Sequence, residues 1–179
     1  MKRTLFYFVV TAMTTALFAG CGDVVYPIWD FPPSNIGLIV RTSEWDGDNN
    51  LLDPDFDGNI LGNEIVAEYN GKEYPLGFID AKTRYIPASW RGLRVGKYYG
   101  YDGDDGTTAL LFGEFQTETH ESSHPETFTI DWGDGTSDEV KFDLYVTYSK
   151  KGKEANVHRS IWLNGELQSD NSLVVEIVK

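Results

Sequence analysis

The chain has 179 residues, with 15 lysines and arginines against 28 aspartates and glutamates, a net charge of −13 and one cysteine. So negative a balance excludes nucleic acid and anionic membrane surfaces as charge-matched partners, and a lone cysteine excludes any intrachain disulfide. Aromatic residues make up 14% of the chain, so its acids do not amount to the aromatic-poor composition of a disordered tail.

At the N-terminus, Lys2 and Arg3 precede an apolar run from Leu5 to Val10 that continues through Ala12, Met13, Ala16, Leu17 and Phe18. This is the charged, apolar and small-residue layout of a secretory signal. Thr11, Thr14 and Thr15 interrupt the run, which is shorter than the roughly 20 residues of a membrane-spanning helix. Its end, Leu17-Phe18-Ala19-Gly20-Cys21, resembles the lipobox of bacterial lipoproteins, with Phe18 where leucine is usual. The resemblance implies that residues 1–20 are removed as a signal peptide, that Cys21 is lipidated, and that its acyl chains hold the protein on a membrane. An ordinary secretory signal with a chance cysteine is the alternative. Residues 21–35, with Pro27, Pro32 and Pro33, read as an extended tether. Residues 36–179 are a length typical of one domain.

From Ile36 onward the punctuation is that of β structure. Strands are expected over 37–42, 64–69 and 72–78, the last two joined by Asn70-Gly71, a pair suited to the positive φ of a two-residue hairpin turn. Residues 94–101 and 107–115 flank a Gly- and Asp-rich turn and form a second expected hairpin. Period-2 alternation is clearest at Val140, Phe142, Leu144, Val146 and Tyr148, with Lys141, Asp143, Tyr145 and Thr147 on the other face. Its partner is 127–132, across a turn at 133–136. Residues 155–163, the turn Asn164-Gly165 and a last strand at 173–178 complete an all-β chain, read as one antiparallel β-sandwich.

The sequence Trp132-Gly133-Asp134-Gly135-Thr136 looks like a shortened form of the Trp-x-x-Gly-Asp-Gly-Thr turn of PKD-type modules, which implies an immunoglobulin-like sandwich. Without that likeness the same residues are a tight turn in which Asp bonds its own backbone. With the lipobox, the chain resembles the small surface lipoproteins of Bacteroidetes, many without assigned function and often near polysaccharide-uptake systems.

Three constellations could carry chemistry. Residues 53–64 have the spacing of a twelve-residue calcium loop, with oxygens at Asp53, Asp55, Asp57 and Asn59, glycine at Gly58, an apolar Ile60 and a closing Glu64. Calcium takes six to eight oxygens, which alternate residues of a turning loop can supply. Pro54 and the strand-like residues after Glu64 replace the usual flanking helices, and a solvated acidic loop is the alternative. His120-Glu121-Ser122-Ser123-His124 is the His-Glu-x-x-His string of zinc peptidases, where both histidines share one helix face. Here polar residues surround it and Pro125 follows, so a loop is expected, at most an adventitious zinc site at His120 and His124, with His158 a third ligand only by chance of folding. Trp45, Trp90, Tyr98, Tyr99, Tyr101 and Trp162 could stack on sugar rings or be core and cross-strand packing.

No phosphate loop, nucleophile elbow or dinucleotide motif is present. The sequence therefore reads as a lipid-anchored binding or accessory protein of the cell envelope and outer membrane, not an enzyme, glycan-binding or adhesive, with a structural calcium. A metal-free structural domain that contacts another envelope protein is the first alternative and a zinc hydrolase the second.

Overall fold

The computed structural model describes residues 33–42, 49–82, 89–99, 106–115, 117, 123–149 and 154–179. The signal segment, Cys21 and most of the tether lie outside them. In chain order the strands are β1 (Ser34–Arg41), β2 (Val66–Tyr69), β3 (Lys72–Pro75), β4 (Ile79–Lys82), β5 (Ser89–Tyr98), β6 (Thr107–Phe115), β7 (Glu126–Asp131), β8 (Ser137–Tyr148), β9 (Ala155–Leu163), β10 (Glu166–Ser169) and β11 (Val174–Val178). Among the described residues there is no helix, and so none long and apolar enough to cross a membrane.

Two sheets form, a five-stranded one in the order β11-β1-β6-β5-β4 and a six-stranded one in the order β10-β9-β8-β7-β2-β3. Both are antiparallel but for one ladder, β1 with β11, where Gly37 pairs with Val174 and Arg41 with Val178 in parallel. That pairing joins the first and last strands and corrects the expectation of antiparallel pairing throughout. β1 also takes in Ser34 and Asn35, the last residues of the segment read as tether.

Alternation decides which face of each strand is buried. In β8 the inward row Val140, Phe142, Leu144 and Val146 is buried, as are Phe128 and Ile130 on β7 and Leu93, Leu110 and Phe112 on the opposing sheet. Aromatic rings bridge the two sheets. Phe112 of β6 meets Phe128 of β7 at 4.5 Å between ring centroids and Tyr69 of β2 edge-on at 5.8 Å, and Phe115 meets Phe142 at 4.5 Å. Edge-to-face contact suits the ring quadrupole and adds to the area buried.

The turns are those that local chemistry dictates. Asn70 and Gly71 have φ of 52° and 71°, Asn164 and Gly165 50° and 85°, the two left-handed residues that a tight hairpin needs. Between β7 and β8, Asp134 Oδ1 accepts hydrogen bonds from the Thr136 amide at 2.9 Å and hydroxyl at 2.6 Å, so the turn is held by its own aspartate. Lys179 Nζ donates to Asp134 Oδ2 at 2.8 Å, and together these donors hold the Asp134 carboxyl well below the usual carboxylate range. Trp132 is buried, its Nε1 donating to Asp138 Oδ2 at 2.7 Å.

Candidate functional site

The acidic loop after β1 closes one end of the sandwich by a succession of turns. The amides of Asp53, Phe56, Asn59 and Asn63 donate to the carbonyls of Asn50, Asp53, Phe56 and Ile60. Leu51 and Leu52 are buried, and Phe56, Ile60 and Leu61 pack on the core. Two of the side chains that the calcium pattern selects also bond this backbone: Asp53 Oδ1 accepts from the Asp55 amide at 2.9 Å and Asn59 Oδ1 from the Leu61 amide at 3.2 Å. Asp55, Asp57 and Glu64 are exposed, and among the described residues no three histidine, cysteine or acidic side chains gather as a group that could hold a metal ion. The turns of the loop are closed by hydrogen bonds of its own. Millimolar Ca²⁺ is therefore expected to leave the melting temperature within about a degree of that in chelator, since a hundredfold excess over Kd would add about 2.7 kcal/mol. A rise of several degrees, lost on Asp53→Ala and Glu64→Ala, would instead establish the ion.

His120 and Glu121 lie outside the described residues. His124 belongs to irregular chain just before β7, not to a helix. Its backbone amide donates to Asp143 Oδ1 at 3.2 Å, and the Ser123 hydroxyl donates to Asp143 Oδ2. These bonds account for the burial of Asp143 on the outward face of β8. His158 stacks on Tyr145 at 4.4 Å, its Nε2 2.8 Å from Thr147 Oγ1.

Trp45 and Tyr101 also lie outside the described residues. The other selected aromatics do not gather into one platform. Trp90 sits under the Arg94 guanidinium at 4.7 Å on the five-stranded sheet, and Trp162 under Lys141 Nζ at 4.8 Å on the six-stranded one. Tyr99 is exposed beyond the end of β5. Tyr98 lines a concavity.

That concavity is a cleft of about 580 Å³ at the end of the sandwich where β1 begins. Ser34 and Asn35 of β1, Tyr98 of β5, Arg159 of β9, and Asn171 and Ser172 of the β10–β11 connection line it. The buried Leu173 also contributes to its wall. A β-bulge sets the β1 side: between Ser34 and Ile36 the register on β6 skips from Phe115 to Phe112. Gly113, with φ of 59°, supplies the left-handed residue of the bulge, and Asn35 Nδ2 donates to its carbonyl oxygen. Tyr98 lies across Gly37, where an added Cβ would come within 3.2 Å of the ring. On the far side, Asn171 Oδ1 accepts from Ser169 Oγ at 3.1 Å, and Ser172 Oγ accepts from the Val174 amide at 3.2 Å. The Asn171 amide hydrogens and the Ser172 hydroxyl hydrogen remain for other acceptors.

Arg159 is the residue that the sequence reading passed over, although the signal was present. In β9 the residues at Ala155, Val157, Ile161 and Leu163 are apolar at period 2, and Arg159 stands in the same row. The register confirms the facing, because Arg159 pairs with Leu144 and Val157 with Val146, both inward residues of β8. One charge in an otherwise apolar inward row is a more informative signal than a charge on an outward face.

The chain matches no family model, no curated protein and no solved structure.

Proposed function

We propose that this chain is an exported protein, lipid-anchored at Cys21 to the bacterial outer membrane, whose immunoglobulin-like sandwich binds glycan in the cleft beside Tyr98 and Arg159. The observation that carries the reading is the lining of that cleft. An aromatic ring offers a face to a sugar ring, and serine and asparagine side chains offer donors and acceptors to hydroxyls. Its volume falls in the range of about 300–1,000 Å³ usual for ligand sites. The lipobox ending at Cys21 supports export and anchoring, and the Trp132–Thr136 turn between β7 and β8 supports the immunoglobulin-like assignment. The reading asks for neither catalysis nor a metal.

The test is a panel of neutral and acidic oligosaccharides offered to the full chain purified from membranes in detergent. At least one is expected to bind, and Tyr98→Ala to weaken it by about two- to tenfold, in line with an aromatic stacking contact of roughly 0.5–1.5 kcal/mol. If no member of the panel binds, the alternative of a protein-interaction domain takes precedence.

A further inference from the structure

Every described arginine but one is engaged. Arg41 pairs with Glu176 at 3.1 Å, Arg91 donates to the Glu114 carbonyl and lies over the Phe115 ring at 4.3 Å, and Arg94 lies over Trp90. The Arg159 side chain has neither an ion pair, a hydrogen bond nor a ring contact among the described residues, although the chain carries 28 acids. It is partly buried, its backbone faces the core, and its side chain lines the cleft, which has no acidic residue among its described lining. Holding a guanidinium in a concavity, partly out of water and unpaired, is unfavourable in the empty protein and becomes favourable when an anion enters.

We infer that the Arg159 cleft selects glycans that carry a carboxylate, with a uronic acid unit seated on the Arg159 guanidinium. This rests on the reading of the cleft as a glycan site. The guanidinium is planar and presents paired N–H donors that match the two oxygens of a carboxylate, and Arg159 is the one cation among the described lining. The remaining described lining is neutral. Ser34, Asn35, Asn171 and Ser172 suit the ring hydroxyls, and Tyr98 offers an aromatic face to the ring itself. The net charge of −13 opposes the approach of an acidic chain to the molecule as a whole, so its binding rests on the local contact with Arg159.

The experiment is calorimetric titration of the full-chain protein with trigalacturonate and with its neutral counterpart, galactotriose, in 50 mM salt. The acid is expected to bind about tenfold tighter or more, as a charge-assisted pair allows. Arg159→Met, close in volume and uncharged, should reduce the acid to the affinity of the neutral sugar, and Arg159→Lys should keep only part of the preference. Raising the salt to 500 mM should weaken the acid and leave the neutral sugar unchanged. Equal binding of the two sugars, or a preference that survives in Arg159→Met with an unaltered melting temperature, would overturn the inference while leaving the glycan site standing. A sulfated trisaccharide that binds as tightly as the uronate would overturn the carboxylate assignment. Failure of both sugars to bind would overturn the glycan site with it.

Discussion

Truncating Phe112 to alanine is expected to lower the free energy of unfolding by about 3–5 kcal/mol, the range for a large buried aromatic whose cavity cannot fully collapse. Phe112 is wholly buried at the middle of the interface between the sheets, in ring contact with Tyr69, Tyr74, Phe115 and Phe128. Three of these, Tyr69, Tyr74 and Phe128, belong to the other sheet, so the substitution removes atoms that both sheets share. For a domain of this size the melting temperature should fall by on the order of 10 °C. Phe78, on the connection into β4 and 46% exposed, is the control, and Phe78→Ala should cost less than about 1 kcal/mol. Urea denaturation of both variants with an unchanged m-value checks this. A loss under 1 kcal/mol for Phe112→Ala would mean that the two sheets do not share a core.

The parts of this fold legible in the sequence are those where a local signal and the tertiary environment agree. β6 and β9 have the expected bounds, because β6 is a short apolar run starting at a Gly- and Asp-rich turn and β9 alternates up to the Asn164-Gly165 turn. β10 was not legible: Glu166, Leu167 and Gln168 are all exposed, so no burial period exists to be read, and the strand follows only from the Asn164-Gly165 turn. β3 was read too long, to Phe78. After Pro75 the chain turns through Gly77, whose amide donates to Leu93 on the other sheet at 2.7 Å, and an apolar run across a crossing looks the same as an apolar strand. The parallel β1–β11 ladder joins chain ends and leaves no local trace. The site followed the same rule. Acids and glycines at alternate positions of 53–64 satisfy an ion-binding pattern and a succession of turns equally, and the hydrogen bonds of Asp53 and Asn59 show the turns. Arg159 stands out in the sequence as the one charge in the apolar row of β9, and the register beside β8 shows that this row faces inward.

Gly133→Ala is expected to cost about 2–4 kcal/mol and Gly135→Ala about 1–2, although the two glycines occupy one turn. Both have positive φ, 68° and 84°, which alone disfavours a side chain by roughly 1–2 kcal/mol. They differ in what a Cβ would meet. At Gly135 nothing lies within 4 Å, whereas at Gly133 the Glu64 backbone nitrogen is 2.7 Å away and its carbonyl oxygen 3.0 Å. Backbone cannot move aside as a flexible side chain can, so the second cost is one of overpacking. The same contact is secured by Asn63 Nδ2, which donates to the Trp132 carbonyl at 3.1 Å, so the β7–β8 turn clasps the end of the acidic loop. Hydrogen exchange over residues 50–64 should accordingly quicken in Gly133→Ala and hardly change in Gly135→Ala. Equal costs for the two variants would show that this clasp is not what holds the loop. The clasp and the cleft lie at opposite ends of β1. Ser34 opens on the cleft, while Arg41 bridges to Asn50 of the loop and accepts from the Lys179 amide at 2.9 Å, roughly 23 Å away by strand rise. Folded Gly133→Ala protein should therefore bind the cleft ligand with unchanged affinity, separating the end of the sandwich that secures the fold from the end that recognises a partner.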